Sequence, residues 1–97
     1  MKEKVIKVII NSINELNEEF DEVLVEPKKE SVLFGEGSNL DSMDFVNLVM
    51  ILEEKLTDEL DVSVSILSEK AFSKRESPFR SVEILSDYII ELMGSDE

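Results

Sequence analysis

Apolar residues recur at steps of three and four along much of this 97-residue chain, and that spacing constrains its fold more than any other feature. In residues 2–20, Ile6, Ile9, Ile13, Leu16 and Phe20 form one stripe, widened near its start by Val5, Val8 and Ile10. A period near 3.6 puts these side chains on one helical face. Asn11, Asn14, Glu15, Asn17, Glu18 and Glu19 supply the wet side. The β-branched run from Val5 to Ile10 would suit a strand on its own, but the longer periodicity decides for a helix.

Two further runs repeat the pattern. Over about 42–56, Phe45, Leu48, Val49, Leu52 and Leu56 fall in an arc roughly 100° wide, the expected core face. Over about 81–93, Val82, Leu85, Tyr88, Ile89 and Leu92 form a stripe, and Ser81 is placed to cap it. Between these runs the period is lost. Residues 21–41 contain Pro27, which biases Glu26 away from helix. A connection of about 20 residues is long for a compact domain and needs pinning by its own side chains. Leu33, Phe34 and Leu40 are the natural pins. Leu60, Val62, Val64 and Ile66 alternate with polar residues but have no partner strand, so they read as an extended connection. It feeds a short helix near 68–73 with Ala71 and Phe72 inward. Lys74-Arg75-Glu76-Ser77-Pro78 breaks the chain, and residues 94–97 read as a fraying tail. The expected fold is a single all-α domain over 1–97: a four-helix bundle with three long helices, one short helix and a long first loop.

Composition narrows the function. An apolar share of 42% suffices for a modest core and argues against disorder. No run approaches the roughly 20 apolar residues of a membrane span, and no signal-peptide pattern opens the chain. There is no cysteine and no histidine. That removes disulfides, thiol nucleophiles, the commonest general base and the commonest metal ligand. A cytoplasmic monomer is the expectation. The formal charge of −13 makes nucleic acid a poor partner and favours basic protein surfaces.

The stretch Leu33-Phe34-Gly35-Glu36-Gly37-Ser38-Asn39-Leu40-Asp41-Ser42-Met43 carries the functional signal. Small polar residues give way abruptly to the second periodic run, so Ser42 stands where loop becomes helix, with its hydroxyl expected outside. Asp41 or Ser42 can cap that helix, and Asp44 sits in its first turn. A Ser-His-acid triad is excluded without histidine. Asp41 and Asp44 could in principle do acid–base work, but a small bundle offers no cleft to bury them, so no enzyme activity is expected. Asp58-Glu59-Leu60-Asp61 fails the calcium-loop pattern because Leu60 and Val62 occupy ligand positions, and no metal site is expected. The remaining chemistry makes Ser42 a target, since a helix N-terminus favours an attached phosphate. Met43, Val46 and Met50 fall in a second arc, about 60° wide and centred roughly 130° from the first. With Glu53 and Glu54 beside it, that arc suits docking by a basic enzyme.

The segment from Leu33 to Leu56, with Gly35, Leu40-Asp41-Ser42-Met43 and Leu48-Val49-Met50-Ile51-Leu52-Glu53-Glu54, resembles acyl carrier proteins, whose signature is Asp-Ser-Leu at the start of the second helix. Phe79-Arg80-Ser81-Val82 and Ser86-Asp87-Tyr88-Ile89 resemble the family's final-helix region. The resemblance implies a carrier without catalysis of its own. A phosphopantetheinyl transferase would attach 4'-phosphopantetheine from coenzyme A to Ser42, flanked by Asp41 and Met43. The cofactor's thiol would then hold an acyl group as a thioester and present it to loading and transferring enzymes. The family's recognition helix maps here to Asp41, Met43, Asp44, Val46, Met50, Glu53 and Glu54. Met43 replaces the usual leucine, Asn47 stands where fatty-acid carriers usually have glutamate, and Lys70–Arg75 is more basic. These departures favour a specialised carrier in lipid or secondary-metabolite biosynthesis over the primary fatty-acid carrier. An aminoacyl or peptidyl carrier, and an acidic interaction module with no prosthetic group, remain the alternatives.

Overall fold

The computed structural model describes residues 2–35, 37–73 and 77–94, with Lys70 and Phe72 described by backbone alone. The chain is all-helical, with no strand among the described residues. Its elements are α1 (Lys2–Phe20), α2 (Ser42–Leu60), α3 (Glu69–Ser73) and α4 (Val82–Gly94). Three of these are long. The short helix expected near 68–73 does not stand as a fourth bundle helix, since α3 is a turn of only five residues. It contributes Ala71 to the core. The inward position expected of Phe72 lies outside the described residues, as does the chain break expected at Lys74-Arg75-Glu76. None of the described helices is long and apolar enough to cross a membrane.

α1 is the central helix. It runs close to both α2 and α4, which do not approach each other closely. This explains the β-branched run near its start. Val5, Ile6, Val8 and Ile9 are all buried, more than one narrow stripe could hide, because α1 has helical neighbours on two sides. Burying each such side chain contributes about 1.5–3 kcal/mol, which outweighs a helix-propensity deficit of less than about 0.7 kcal/mol per residue. Ser12 is fully buried among them and donates to the Val8 carbonyl at 2.9 Å, so its hydroxyl costs little. Ion pairs finish the two seams: Lys55 with Glu15 at 3.0 Å between α1 and α2, and Lys2 with Glu83 and Asp87 between α1 and α4.

α2 is longer than the sequence pattern suggests. The periodic stripe predicts an end near Leu56, yet the helix continues one more turn to Leu60. The reason is that Leu60 lies four residues beyond Leu56 and extends the core-facing stripe, while Thr57, Asp58 and Glu59 stay exposed. The apparent alternation from Leu60 to Ile66 therefore straddles a helix end. Asp61 stops the helix in the left-handed region at φ 56°. Its N–H reaches the Thr57 carbonyl, and the Val62 N–H reaches that of Leu56. α1 ends the same way at Asp21, φ 52°. There the Glu22 and Asp21 N–H groups bond the carbonyls of Asn17 and Glu18, the paired arrangement that usually carries glycine. Gly94, expected in the tail, is the last residue of α4.

Both helix stops place an L-residue where its Cβ is crowded. Asp21→Gly and Asp61→Gly should each stabilise the fold by about 0.5–1 kcal/mol. Urea unfolding followed by circular dichroism would show this as a higher midpoint at unchanged slope.

Candidate functional site

The loop before α2 determines how Ser42 is presented. Leu33 and Phe34 both donate backbone N–H groups to the Phe79 carbonyl, at 3.0 and 3.3 Å. Leu33 is fully buried and Phe34 partly so. The Phe34 ring stacks on Phe45 with centroids 4.6 Å apart, and Phe45 meets Phe79 edge-on at 4.8 Å. Such geometries add to the burial of the rings themselves. Three segments distant in sequence are thus joined one turn behind Ser42. The chain then turns: the Ser38 N–H donates to the Gly35 carbonyl, and the Ser38 hydroxyl accepts from the Leu40 N–H. Gly35 has φ +99° with open space where a Cβ would stand, so backbone conformation rather than room calls for glycine there. Leu40 is buried and anchors the end of the loop, as expected.

Of the two candidate caps, Asp41 does the work. Its carboxylate accepts the Asp44 N–H at 2.8 Å, and its carbonyl accepts the Phe45 N–H at 2.9 Å. Ser42 is therefore the first residue of α2. Its side chain is exposed, and its hydroxyl has no partner among the described residues. The amides of Ser42 and Met43 are the N-terminal donors left outside the cap.

The second arc of α2 faces outward. Met43, Val46 and Met50 are 77%, 40% and 62% exposed, the largest apolar exposures on this helix. Core packing of these three against the loop does not occur. Glu54 is exposed and Asp44 half-buried. Next to Met50 a groove of about 320 Å³ opens between α1 and α2, with Glu15, Glu19 and Glu54 on its walls. Glu15 is already engaged with Lys55, and the hydrogen bond between them holds the Lys55 ammonium pKa above its ordinary value.

Glu53 stands apart from the other docking candidates. It is half-buried, and its carboxylate accepts the Ile66 N–H at 2.9 Å. Ile66 is fully buried. The carboxylate thus holds the 61–68 connection against α2, a role the chain alone does not reveal. Asn17 was also unreadable in this respect. Placed on the wet side of α1 by periodicity, it is half-buried and clamps the loop, accepting from the Leu24 and Val25 N–H groups and donating to the Val25 carbonyl. A polar amide in the last turn before a long loop is the only local signal for this. No group of three or more acidic side chains is placed to hold a metal ion among the described residues.

No protein-family model matches the chain, and no curated protein or solved structure matches it either.

The separation of cap from exposed hydroxyl has a direct signature. Asp41→Ala should destabilise the fold by about 1 kcal/mol through the lost cap. Ser42→Ala should change it by no more than about 0.5 kcal/mol, as for an exposed side chain without partners. Equal losses in urea unfolding would mean that Ser42 shares the capping role.

Proposed function

We propose that this chain is an acyl carrier protein: 4'-phosphopantetheine is joined to Ser42 through a phosphodiester, and acyl groups travel as thioesters on its terminal thiol. The observation that carries this reading is the division between neighbours at the start of α2. Asp41 caps the helix, which leaves the Ser42 hydroxyl exposed and without a partner. A phosphodiester there would lie in the favourable field of the helix N-terminus, near the uncapped Ser42 and Met43 amides. With no cysteine or histidine in the chain, the reactive thiol has to come from the cofactor. The protein's own contributions are an anchor, a rigid base beneath it and a surface beside it. Asp41 and Met43 flank the anchor. Met43, Val46 and Met50 offer an apolar contact, and Asp44 and Glu54 with the acidic groove offer attraction to a basic enzyme surface. Partners of this kind are a phosphopantetheinyl transferase and the enzymes that load and unload the arm. Glu53 contributes to the charge of this face while holding Ile66.

Co-expression with a phosphopantetheinyl transferase followed by intact-protein mass spectrometry tests the anchor. The wild type should gain the mass of one phosphopantetheine, and Ser42→Ala should gain none. Equal gain by both would move the attachment elsewhere. No gain by either would leave the acidic interaction module as the better reading.

The docking face has its own test. Reversing Glu19 and Glu54 to lysine, away from the Glu53 clamp, should slow modification about tenfold at low salt, mainly through association. The penalty should shrink at high ionic strength, where the charges are screened. A rate indifferent to both changes would remove electrostatic steering from the account.

A further inference from the structure

The basic side chains of this acidic protein are not evenly distributed. Among the described lysine side chains, Lys2, Lys28 and Lys55 each have a carboxylate within ion-pair distance. Lys4, Lys7 and Lys29 have none among the described residues, although acidic residues outnumber basic ones 23 to 10 in the chain. These three lysines line one surface groove of about 400 Å³, together with Glu3, Ile6 and Ile10. Two of them come from α1 and one from the long loop. The loop lysine is held in place by its backbone, since the Lys29 carbonyl accepts the Glu83 N–H of α4 at 3.1 Å. Ile6 and Ile10 lie one turn apart on α1, so the groove has an aliphatic floor with cations at its rim. Three lysines against Glu3 leave a local charge of +2.

We propose that this groove binds a monoanionic aliphatic amphiphile, with its carboxylate or sulfate head among Lys4, Lys7 and Lys29 and its chain along Ile6 and Ile10. The chemistry selects that class over larger anions. An acidic protein or a strongly anionic membrane must approach a molecule of charge −13, and repulsion opposes it. A single negative charge meets little of that repulsion while still gaining the local +2. The mostly apolar floor rewards a hydrocarbon chain and gives nothing to a bare inorganic anion. The groove lies on the outer face of α1, and Ser42 takes no part in it, so this site is independent of the function proposed above.

The test uses the full-length Ser42→Ala chain, which cannot carry a prosthetic group at that residue. Decanoate, kept below its micellar concentration at physiological salt, is titrated while backbone amide shifts are followed by NMR. The expected result is saturable shifts centred on residues 3–10 and 28–30. Decyltrimethylammonium and decyl maltoside should produce no saturable shifts there. The triple variant Lys4→Gln, Lys7→Gln, Lys29→Gln should bind decanoate at least about tenfold more weakly, and Ile10→Asn should weaken the tail contact with the lysines intact. Both variants are compared by circular dichroism to verify an unchanged fold. Shifts centred on core residues such as Leu48 and Ile66, or equal binding of the cationic and neutral amphiphiles, would overturn the proposal. So would unchanged affinity in the triple variant, or tighter binding at the same residues by an acidic peptide.

Discussion

The carbonyl of Phe79 accepts two backbone N–H groups from the long first loop, while the ring of the same residue meets Phe45 of α2. Much of the geometry around Ser42 depends on that one position. Without the two bonds, Leu33 and Phe34 would have unpaired amides beside the core, a loss of about 1–3 kcal/mol for each buried group. Without the ring, Phe45 would keep only Phe34 as an aromatic neighbour among the described residues. A loop of this length has many conformations to lose on ordering. It is held at several separate points: Asn17 at its start, Lys29 on α4, Leu33 and Phe34 on Phe79, and Leu40 before the cap. The result is a long connection pinned to the core at Val25, Leu33 and Leu40 while most of its other described residues stay exposed.

Charge is arranged with the same economy. The acidic side chains around Met50 and the unpaired lysines around Ile10 occupy separate grooves on α1, so a net charge of −13 conceals a local positive site. Net charge governs long-range encounter, whereas local sign governs what settles in a given groove. The two proposals made above exploit these two scales separately. The ion pairs at the helix seams are open to solvent, with Lys55 partly buried, and serve orientation more than stability.

The long helices were legible because burial imposes periodicity. The stripes on α1 and α4 and the Phe45–Leu56 arc of α2 lie inward except at Phe20, which ends the α1 stripe 42% exposed because the helix stops there and its neighbours do not reach it, and the Met43–Val46–Met50 arc lies outward. Leu40 as a pin and Ser81 as the cap of α4 were also readable, since each needs only local chemistry. The extra turn of α2 was not, because Leu60 fits a helix stripe and a strand alternation equally well and only Asp61's left-handed backbone resolves the two. Nor could sequence separate the cap from the exposed hydroxyl at Asp41-Ser42, as either residue type caps well. Glu53 and Asn17 were hidden for a common reason. Their partners are backbone amides of remote or irregular segments, and such bonds leave no pattern in the chain.

The central placement of α1 bears on how the molecule is made. Its two apolar sides are covered by helices that begin about 40 and 80 positions later, so α1 is made before either of its partners and is fully enclosed only after both. Synthesis at about 5–20 residues per second leaves that helix waiting several seconds for its last partner. Closing the α1–α4 contact also joins the most distant of the long helices, the kind of non-local step that slows folding. A helix rich in valine and isoleucine thus keeps one apolar side open in the nascent chain until α4 has been made.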